Sequence, residues 1–402
     1  MTFNYKNSTS IKDDTIVNVE NLNISFKLKK GIVHAVRGVD LSIKKGQIVG
    51  IVGESGSGKS VTVKALMGFN GKCETKAKYL DFNDIDILSI NKRNWKFLRG
   101  SRISYIPQDP LLSLNPTKKI GAQITETILI TKKRKFQKQA FEINKNEQLS
   151  DEQKKEQIKA AKEIYKDSIS KENLKKKIYE VLAFIGIKNI DSRINAYPHE
   201  FSGGMRQRIV IAMSIVSEPD LIIADEPTTA LDVTIQAKVL DLIKKLRNEF
   251  NITIIFISHN IALIANFCDY IYVMYAGKIV EQGLIKEIFT KPRHPYTWGL
   301  ICSIPDTEST QELESIPGTP PNLMIPPVGD AFAPRNKYAL AIDFEKQPPL
   351  FSVSPTHKAA TWLLHPDSPH KDIPKEVLNK IKLAKKSFDI KEKNLKENKN
   401  GK

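Results

Sequence analysis

Eight residues, Gly53-Glu54-Ser55-Gly56-Ser57-Gly58-Lys59-Ser60, constrain this chain more than any other stretch. They satisfy G-x-x-x-x-G-K-[ST] in full. They also sit between a short apolar run, Gln47 to Val52, and a helical pattern, SVTVKALMGF. A strand, a glycine loop and a helix in that order make a phosphate cradle. Glycine lets the backbone curl until its N–H groups point at phosphate oxygens, and the positive end of the helix dipole adds to them. Lys59 then neutralises charge on the β- and γ-phosphates, and the Ser60 hydroxyl suits a magnesium ion. A chance glycine turn would lack the two matching flanks.

The rest of the pattern is α/β. Residues 16–28 (IVNVENLNISFKL) and 32–43 (IVHAVRGVDLSI) alternate apolar and polar positions, as half-buried strands do. LIIADE (221–226) and ITIIFIS (252–258) are continuous apolar runs that suit strands buried on both faces of a parallel sheet. IQAKVLDLIKKLRNEF between them has helical spacing and supplies the crossover. YIYVMYAGKIVEQG reads as two strands joined at a tight turn containing Gly277.

Two further elements complete a catalytic set. Asp225-Glu226 closes an apolar strand and places two carboxylates at a carboxyl edge, where phosphate ligands gather. Asp225 suits Mg²⁺ binding through a water, and Glu226 suits polarising an attacking water. An ordinary acidic strand end is the bland alternative. Ser202-Gly203-Gly204-Met205-Arg206-Gln207 precedes the helical stretch RQRIVIAMSIV, so serine and two glycines open a second anion cradle. One nucleotide does not need two cradles from one chain. Two chains placed head to tail would use both. A plain capped helix is the alternative here.

In this order the elements resemble the ABC transporter ATPases. Gly53–Ser60 matches the Walker A loop, Gln108 in SYIPQDP the Q-loop glutamine, and Ser202–Gln207 the signature. Asp225-Glu226 matches the end of Walker B, Ala230-Leu231-Asp232 the D-loop, and His259 in IFISHN the switch histidine. The likeness covers roughly residues 16–285. It implies a P-loop core with a mostly parallel sheet, an antiparallel β subdomain, a helical subdomain carrying the signature, and an irregular C-terminal extension. It also implies catalytic roles for Glu226, His259, Gln108 and Lys59, and Mg²⁺ contacts from Ser60, Gln108 and Asp225. Nucleotide contacts are implied for Gly53, Glu54, Ser55, Gly56, Ser57, Gly58, Lys59, Ser60 and Val61. On the facing chain they are implied for Ser202, Gly203, Gly204 and Gln207, with Asp232 tying the two sites together. The family stacks an aromatic near the N-terminus on adenine. Phe26 is the candidate, and a core-strand phenylalanine is an equal reading.

The finer resemblance is to oligopeptide and dipeptide importer ATPases of the SGGMRQR type. IPQDPLLSLNP (106–116), YPHEFSGGMRQRIVIAMSI (197–215), ADEPTTALDVTIQAKVLDLI (224–243) and HPYTWGL (294–300), followed by SIP and IPGTPP, carry it. It implies ATP with Mg²⁺, a second ATPase subunit in a heterodimer, two membrane permeases and an extracytoplasmic peptide receptor. A dipeptide or nickel-chelate importer is the near alternative. Relatives often carry cysteines in the extension that bind an iron–sulfur cluster, in a stretch resembling GCPFxPRC. Here Asp330 and Asn336 stand at the cysteine positions of Gly329–Asn336, and no cluster is expected. The HPYT and IPGTPP pieces read as a proline-stiffened loop without evident chemistry.

The expected organisation is a nucleotide-binding domain over 1–290, an extension over 291–370 and a basic, flexible tail over 371–402. A lysine-rich helical excursion is inserted at about 131–177, and ISKENLKKKIYEVLAFIGI beyond it reads as a helix. The net charge of +17 raises nucleic acid or anionic lipid as partners. Much of the lysine, however, lies in mixed-charge stretches poor in aromatics, so no nucleic acid is expected. A soluble ABC protein acting on ribosomes or DNA would carry two cassettes or a zinc-tipped coiled coil, and one Walker A loop without CxxC argues against it. A dead scaffold subunit is disfavoured by Lys59, Glu226 and His259. Cys73, Cys268 and Cys302 are too scattered for a disulfide framework or a cysteine metal cluster. No apolar run reaches the roughly 18 residues of a membrane helix, and MTFNYKNSTSIKDD lacks a signal-peptide pattern. A peripheral place on the cytoplasmic face of the cell membrane is expected, held through the permeases.

Overall fold

The alternation of residues 16–28 becomes the strand Thr15–Leu28, with a change of phase inside it. Val17 and Val19 are buried, then Leu22 and Ile24, so the inward set moves from odd to even positions. The pairing register shifts between Val19 and Leu22. Asn21 adopts a left-handed φ of 51° there, and its N–H donates to Asp40 Oδ1 at 2.6 Å. A bulge of this kind adds one residue to one strand and returns the apolar side chains to the core face. Asparagine tolerates the left-handed backbone better than most residues.

The computed structural model describes residues 14–69, 71–229, 231–305, 316–369 and 373–400, the last ten as backbone only. The N-terminal stretch read for a signal peptide lies almost wholly outside them. The chain divides into two units, one from Asp84 to Ile255 and one combining 11–83 with 256–402. The division falls inside the strand Thr253–Ser258.

In the second unit, Thr15–Leu28 pairs antiparallel with Gly31–Lys44, Cys73–Lys76 and Tyr79–Phe82. Separately, the strand Ile48–Val52, buried at every position, lies parallel to Tyr270–Tyr275. A strand buried on both faces must be apolar throughout, as Ile48–Val52 is. Tyr270–Tyr275 turns back into Lys278–Leu284 through Ala276 and Gly277, both at positive φ (47° and 79°). Two such residues make the turn whose twist matches a hairpin.

The extension is woven into this unit. Lys358–Ala359 pairs antiparallel with Lys278–Leu284, and Phe351–Ser352 pairs with Lys358–Ala359. The position expected as a boundary, near residue 291, is bridged by this pairing. Sheet hydrogen bonds cross it, a contact that proline content cannot reveal. The expected mobile tail also differs. Lys375–Asn400 is a helix, and Val377 and Ile381 pack into a cluster with Trp298 and Leu363. Spacing of four residues puts these two apolar side chains on one helix face, and burial holds the first turns in place. Lys380 Nζ donates to Ile304 O at 2.8 Å.

In the first unit, Ile103–Ile106 lies parallel to Leu221–Asp225, with Ile103 opposite Leu221 and Ile106 opposite Ala224. Five longer helices follow or separate these strands: Ile120–Lys145, Asp151–Ser168, Lys171–Phe184, Gly203–Ile215 and Val233–Phe250. The lysine-rich insertion is helical, but its first helix starts at Ile120 and enters from a buried face of Ile120, Ile124 and Ile128. It turns at residues 146–150, where Ser150 and Gln153 form a capping box, and Phe136 stacks on Tyr165 at 5.2 Å. Among the described residues no helix is long and apolar enough to cross a membrane.

Candidate functional site

The glycine loop follows the buried strand Ile48–Val52 and opens the helix Lys59–Ala65. Two glycines are required by space. A Cβ on Gly53 would stand 2.1 Å from the Met274 carbonyl oxygen. One on Gly58, at φ 98°, would stand 2.6 Å from that of Ala35. Both close approaches are to backbone, which cannot step aside. Lys59 is only 5% exposed. Its Nζ donates to Gly53 O and Glu54 O, each at 2.8 Å, and reaches Ser57 Oγ at 3.5 Å. The ammonium is thus folded back over its own loop and held there by carbonyl oxygens. The Gly277 N–H of the hairpin turn donates to Ser57 O at 2.9 Å, bracing the loop from outside.

In the other unit the parallel register sets the carboxylates. Ile106 and Ala224 are opposite one another, so Gln108 and Glu226, each two residues further on, emerge at the same level beyond the carboxyl edge. Gln108 Nε2 donates to Glu226 Oε2 at 3.3 Å, and Thr229 Oγ1 donates to the same oxygen at 3.1 Å. Glu226 has φ 49°. A left-handed glutamate costs roughly 1–3 kcal/mol, a strain that clusters at functional positions. Asp225 is buried, and its Oδ2 accepts from Tyr105 Oη at 2.7 Å. Burial first, and then that carboxylate, push the Tyr105 phenol well above its ordinary value, so it stays a donor.

Ser202 caps the helix Gly203–Ile215, its Oγ accepting from Met205 N at 3.4 Å. Ser202 and Gly203 are exposed. Gly204 is not, because a Cβ there would stand 2.3 Å from Ile235 Cγ2. Gln207 is buried at 1% exposure, with Nε2 lacking a hydrogen-bond partner. The sequence groups it with Ser202 and Gly203 as a residue that reaches a facing chain, and the structure does not place it on their exposed surface. Five residues past the cap, the helix has turned it inward. Asp232 caps Val233–Phe250 through Oδ1, which accepts from Ile235 N at 2.9 Å. Ala230 of the expected D-loop lies outside the described residues.

His259 is exposed just past Thr253–Ser258, in the unit that carries the glycine loop. Ser60 and Val61 are half-buried in the first turn of the helix after the loop. Ser55 and Gly56 are exposed, and Ser57 is buried. Phe26 is half-buried rather than a core residue, paired across the sheet with Val33 and Cys73. Asp330 and Asn336, at the expected cysteine positions, each close a local turn. Asp330 Oδ1 accepts from Phe332 N at 3.1 Å, and Asn336 Oδ1 from Tyr338 N at 2.9 Å.

Residue-by-residue reading missed two side chains at the loop, Tyr296 and Arg335. The HPYT stretch is the start of the helix Pro295–Cys302, not an idle loop. His294 caps it, Nδ1 accepting from Tyr296 N at 3.0 Å; complete burial lowers its pKa to about 3, so the ring is a neutral acceptor. The fully buried Glu281 carboxylate accepts from Arg293 N (2.6 Å) and His294 N (3.1 Å), and meets His357 Nε2 at 2.7 Å. Three partners satisfy a carboxylate that burial would otherwise penalise. They fix the helix so that Tyr296 Oη accepts from Glu54 N at 2.8 Å. Arg335 makes a two-pronged ion pair with the Glu54 carboxylate, Nη1 to Oε2 at 2.8 Å and Nη2 to Oε1 at 3.0 Å. Full conformity to the glycine-loop pattern gave no sign of this, since Glu54 fills a position where any residue fits the pattern.

Comparison with known proteins gives a consistent result. Residues 36–229 match the ABC transporter family, and residues 280–342 match the C-terminal region of oligopeptide/dipeptide transporters. The chain is 57% identical over 386 residues to the oligopeptide transport ATP-binding protein OppD of Mycoplasma genitalium, covering 95% of this chain and 96% of that one. It is 45% identical to OppD of Bacillus subtilis (94% and 97% covered) and 45% identical to the dipeptide transport ATP-binding protein DppD of Lactococcus lactis (89% and 93%). Among solved structures, cbiO1 of Clostridium perfringens, part of an ABC transporter complex, aligns with TM-score 0.52 and 26% identity over 69% of this chain and 92% of that one. A dimeric ATP-binding cassette bound to ADP and Pi aligns with TM-score 0.51 and 23% identity over 67% and 99%, a likeness of fold.

Proposed function

This chain belongs to the ABC transporter family, among the oligopeptide and dipeptide transport ATP-binding proteins, and from that premise we propose that it hydrolyses ATP to drive uptake of oligopeptides across the cell membrane. Gly53 through Val61 hold the triphosphate, with backbone N–H groups and the Lys59 ammonium facing its oxygens. The loop's crowded glycines and its folded-back lysine suit a ligand of that charge and shape. Ser60, Asp225 and Gln108 are hard oxygen donors of the kind Mg²⁺ takes. The ion, when bound, neutralises phosphate charge. Tyr105 holds one oxygen of Asp225 and so fixes how that carboxylate is presented.

Glu226 orients the attacking water, and Gln108, bonded to it, links the water's position to the permeases. The observation that carries this reading is the Gln108–Glu226 hydrogen bond beyond the strand edge, 3.3 Å long, on a glutamate held at left-handed φ. His259 orients Glu226 and the γ-phosphate. Ser202 and Gly203, exposed at a capped helix start, face the triphosphate of a second, similar ATPase subunit, and Asp232 ties the two sites together. Phe26, half-buried on its strand, stacks on adenine. ATP favours the closed pair over the open one, and that difference in affinity moves the permeases. The subunit works at the cytoplasmic face, with an extracytoplasmic receptor supplying peptide. Carboxylate and amide at Asp330 and Asn336 support a site without an iron–sulfur cluster, which needs thiolates.

The test is uptake of a radiolabelled tetrapeptide by cells lacking this chain, complemented with wild type or Lys59→Ala. Wild type is expected to restore uptake and Lys59→Ala to leave it at background. Equal uptake with both would sink the reading.

A further inference from the structure

Glu54 is an odd residue to find in a loop built for a polyanion. Its carboxylate adds negative charge where negative charge must be received, and like charges at short range oppose one another. The structure answers with Arg335, 281 residues further along the chain. Both prongs of the guanidinium engage both carboxylate oxygens, and the Arg335 side chain is 6% exposed against 26% for Glu54. A paired geometry of this kind is both strong and directional.

Arg335 is itself held. Nε donates to Pro317 O at 2.7 Å, Nη2 to Ile316 O at 3.3 Å and Nη1 to Tyr275 Oη at 3.1 Å. Glu54 is engaged at three points. Its carboxylate meets Arg335, its N–H donates to Tyr296 Oη, and its carbonyl accepts from Lys59 Nζ at 2.8 Å and from Ser57 N at 3.2 Å. A displacement of Glu54 therefore moves the carbonyl that seats the lysine. The Leu323 carbonyl accepts from His34 N at 2.9 Å, so the stretch after IPGTPP is fastened to the same unit.

We propose that Arg335 is a positioning residue for nucleotide binding: it cancels the Glu54 charge and fixes the loop, so the C-terminal extension completes the phosphate cradle. This rests on the reading that residues 53–61 bind ATP. Arg335 need not touch nucleotide. It acts through Glu54, and Tyr296 holds the same residue by its backbone.

The experiment uses the purified full chain and equilibrium titration with a fluorescent ATP analogue. Arg335→Ala is expected to weaken binding about tenfold, because an uncompensated carboxylate then sits beside the phosphates. Adding Glu54→Gln to that variant should bring binding back to within about threefold of wild type, since the amide keeps the shape and removes the charge. A staple that merely held the extension in place would not be rescued by neutralising Glu54. Thermal melts run in parallel. If Arg335→Ala does not fold, Arg335→Gln with and without Glu54→Gln carries the same comparison. Unchanged binding in the arginine variant, or a loss that Glu54→Gln fails to relieve, overturns the proposal. A wild-type chain that does not bind the analogue would overturn the ATP reading itself, whereas wild-type binding with indifferent variants sinks only this inference.

Discussion

Gln108 and Glu226 come from strands 118 residues apart in sequence, yet meet at 3.3 Å because Ile106 and Ala224 are register partners in a parallel pair. Each stands two residues past its partner, so the strand register itself sets the spacing between amide and carboxylate. This relationship makes Glu226 sensitive to any change that alters its charge but not its shape.

Glu226→Gln keeps the side-chain volume and an oxygen acceptor for Gln108 and Thr229, while losing the negative charge. ATP hydrolysis is expected to fall at least about a hundredfold, as when a general base or water-orienting group is removed. ATP binding should persist, and ATP should then hold the paired subunits together. Phosphate release assays and size-exclusion chromatography with ATP check both parts. Brisk turnover by this variant would refute the role assigned to Glu226.

Gly204→Ala tests the seam between the two helix starts in the first unit. The new methyl would stand 2.3 Å from Ile235 Cγ2, a branched position close to the backbone. Ile235 N is also the donor that satisfies the Asp232 cap. Overpacking of this kind costs about 1–3 kcal/mol, so thermal unfolding should move down by several degrees. An unshifted melting curve would show that the two helices separate easily at this contact.

Asp330 predicts a pH dependence of stability. Burial raises its carboxyl pKa from 3.8 to about 6; nearby Asp343 adds to the rise, while the Phe332 N–H, Lys278 and Arg37 oppose it. The folded state therefore holds its proton more tightly than the unfolded chain. The stability this contributes is complete below about pH 4 and is lost as pH rises through about 6. Asp330→Asn keeps the acceptor for Phe332 N and carries no charge. At pH 7 the variant is expected to be more stable than wild type by on the order of 2 kcal/mol, with the advantage vanishing near pH 4. Urea unfolding at the two pH values measures this. A variant less stable at pH 7 would contradict it.

The glycine loop, the strand before it and the helix after it could be read directly, because local chemistry dictates them. Phosphate cradles need glycine where a Cβ would strike backbone, as at Gly53 and Gly58. Continuous apolar runs announced Ile48–Val52 and Leu221–Asp225 for a similar reason, since strands covered on both faces tolerate little else. Gln207 was not legible in the same way. Its place in the SGGMRQ run sets it close to the exposed Ser202 and Gly203, while helical rotation turns it inward. The terminal lysines likewise suggested a mobile tail, and two apolar residues four apart, Val377 and Ile381, were enough to seat a helix.

From the letters alone came the α/β class, the family likeness and the residues proposed for phosphate, metal and water. Such features depend on spacing along the chain, which sequence displays. Only the tertiary structure decided what the C-terminal extension does. Its Lys358–Ala359 strand joins the sheet, its buried Glu281–His357 contact sets the Tyr296 helix, and Arg335 closes on Glu54. The physical reason is that an ion pair between residues 281 positions apart leaves no local pattern, because complementary charges declare themselves only when folding has brought them within reach.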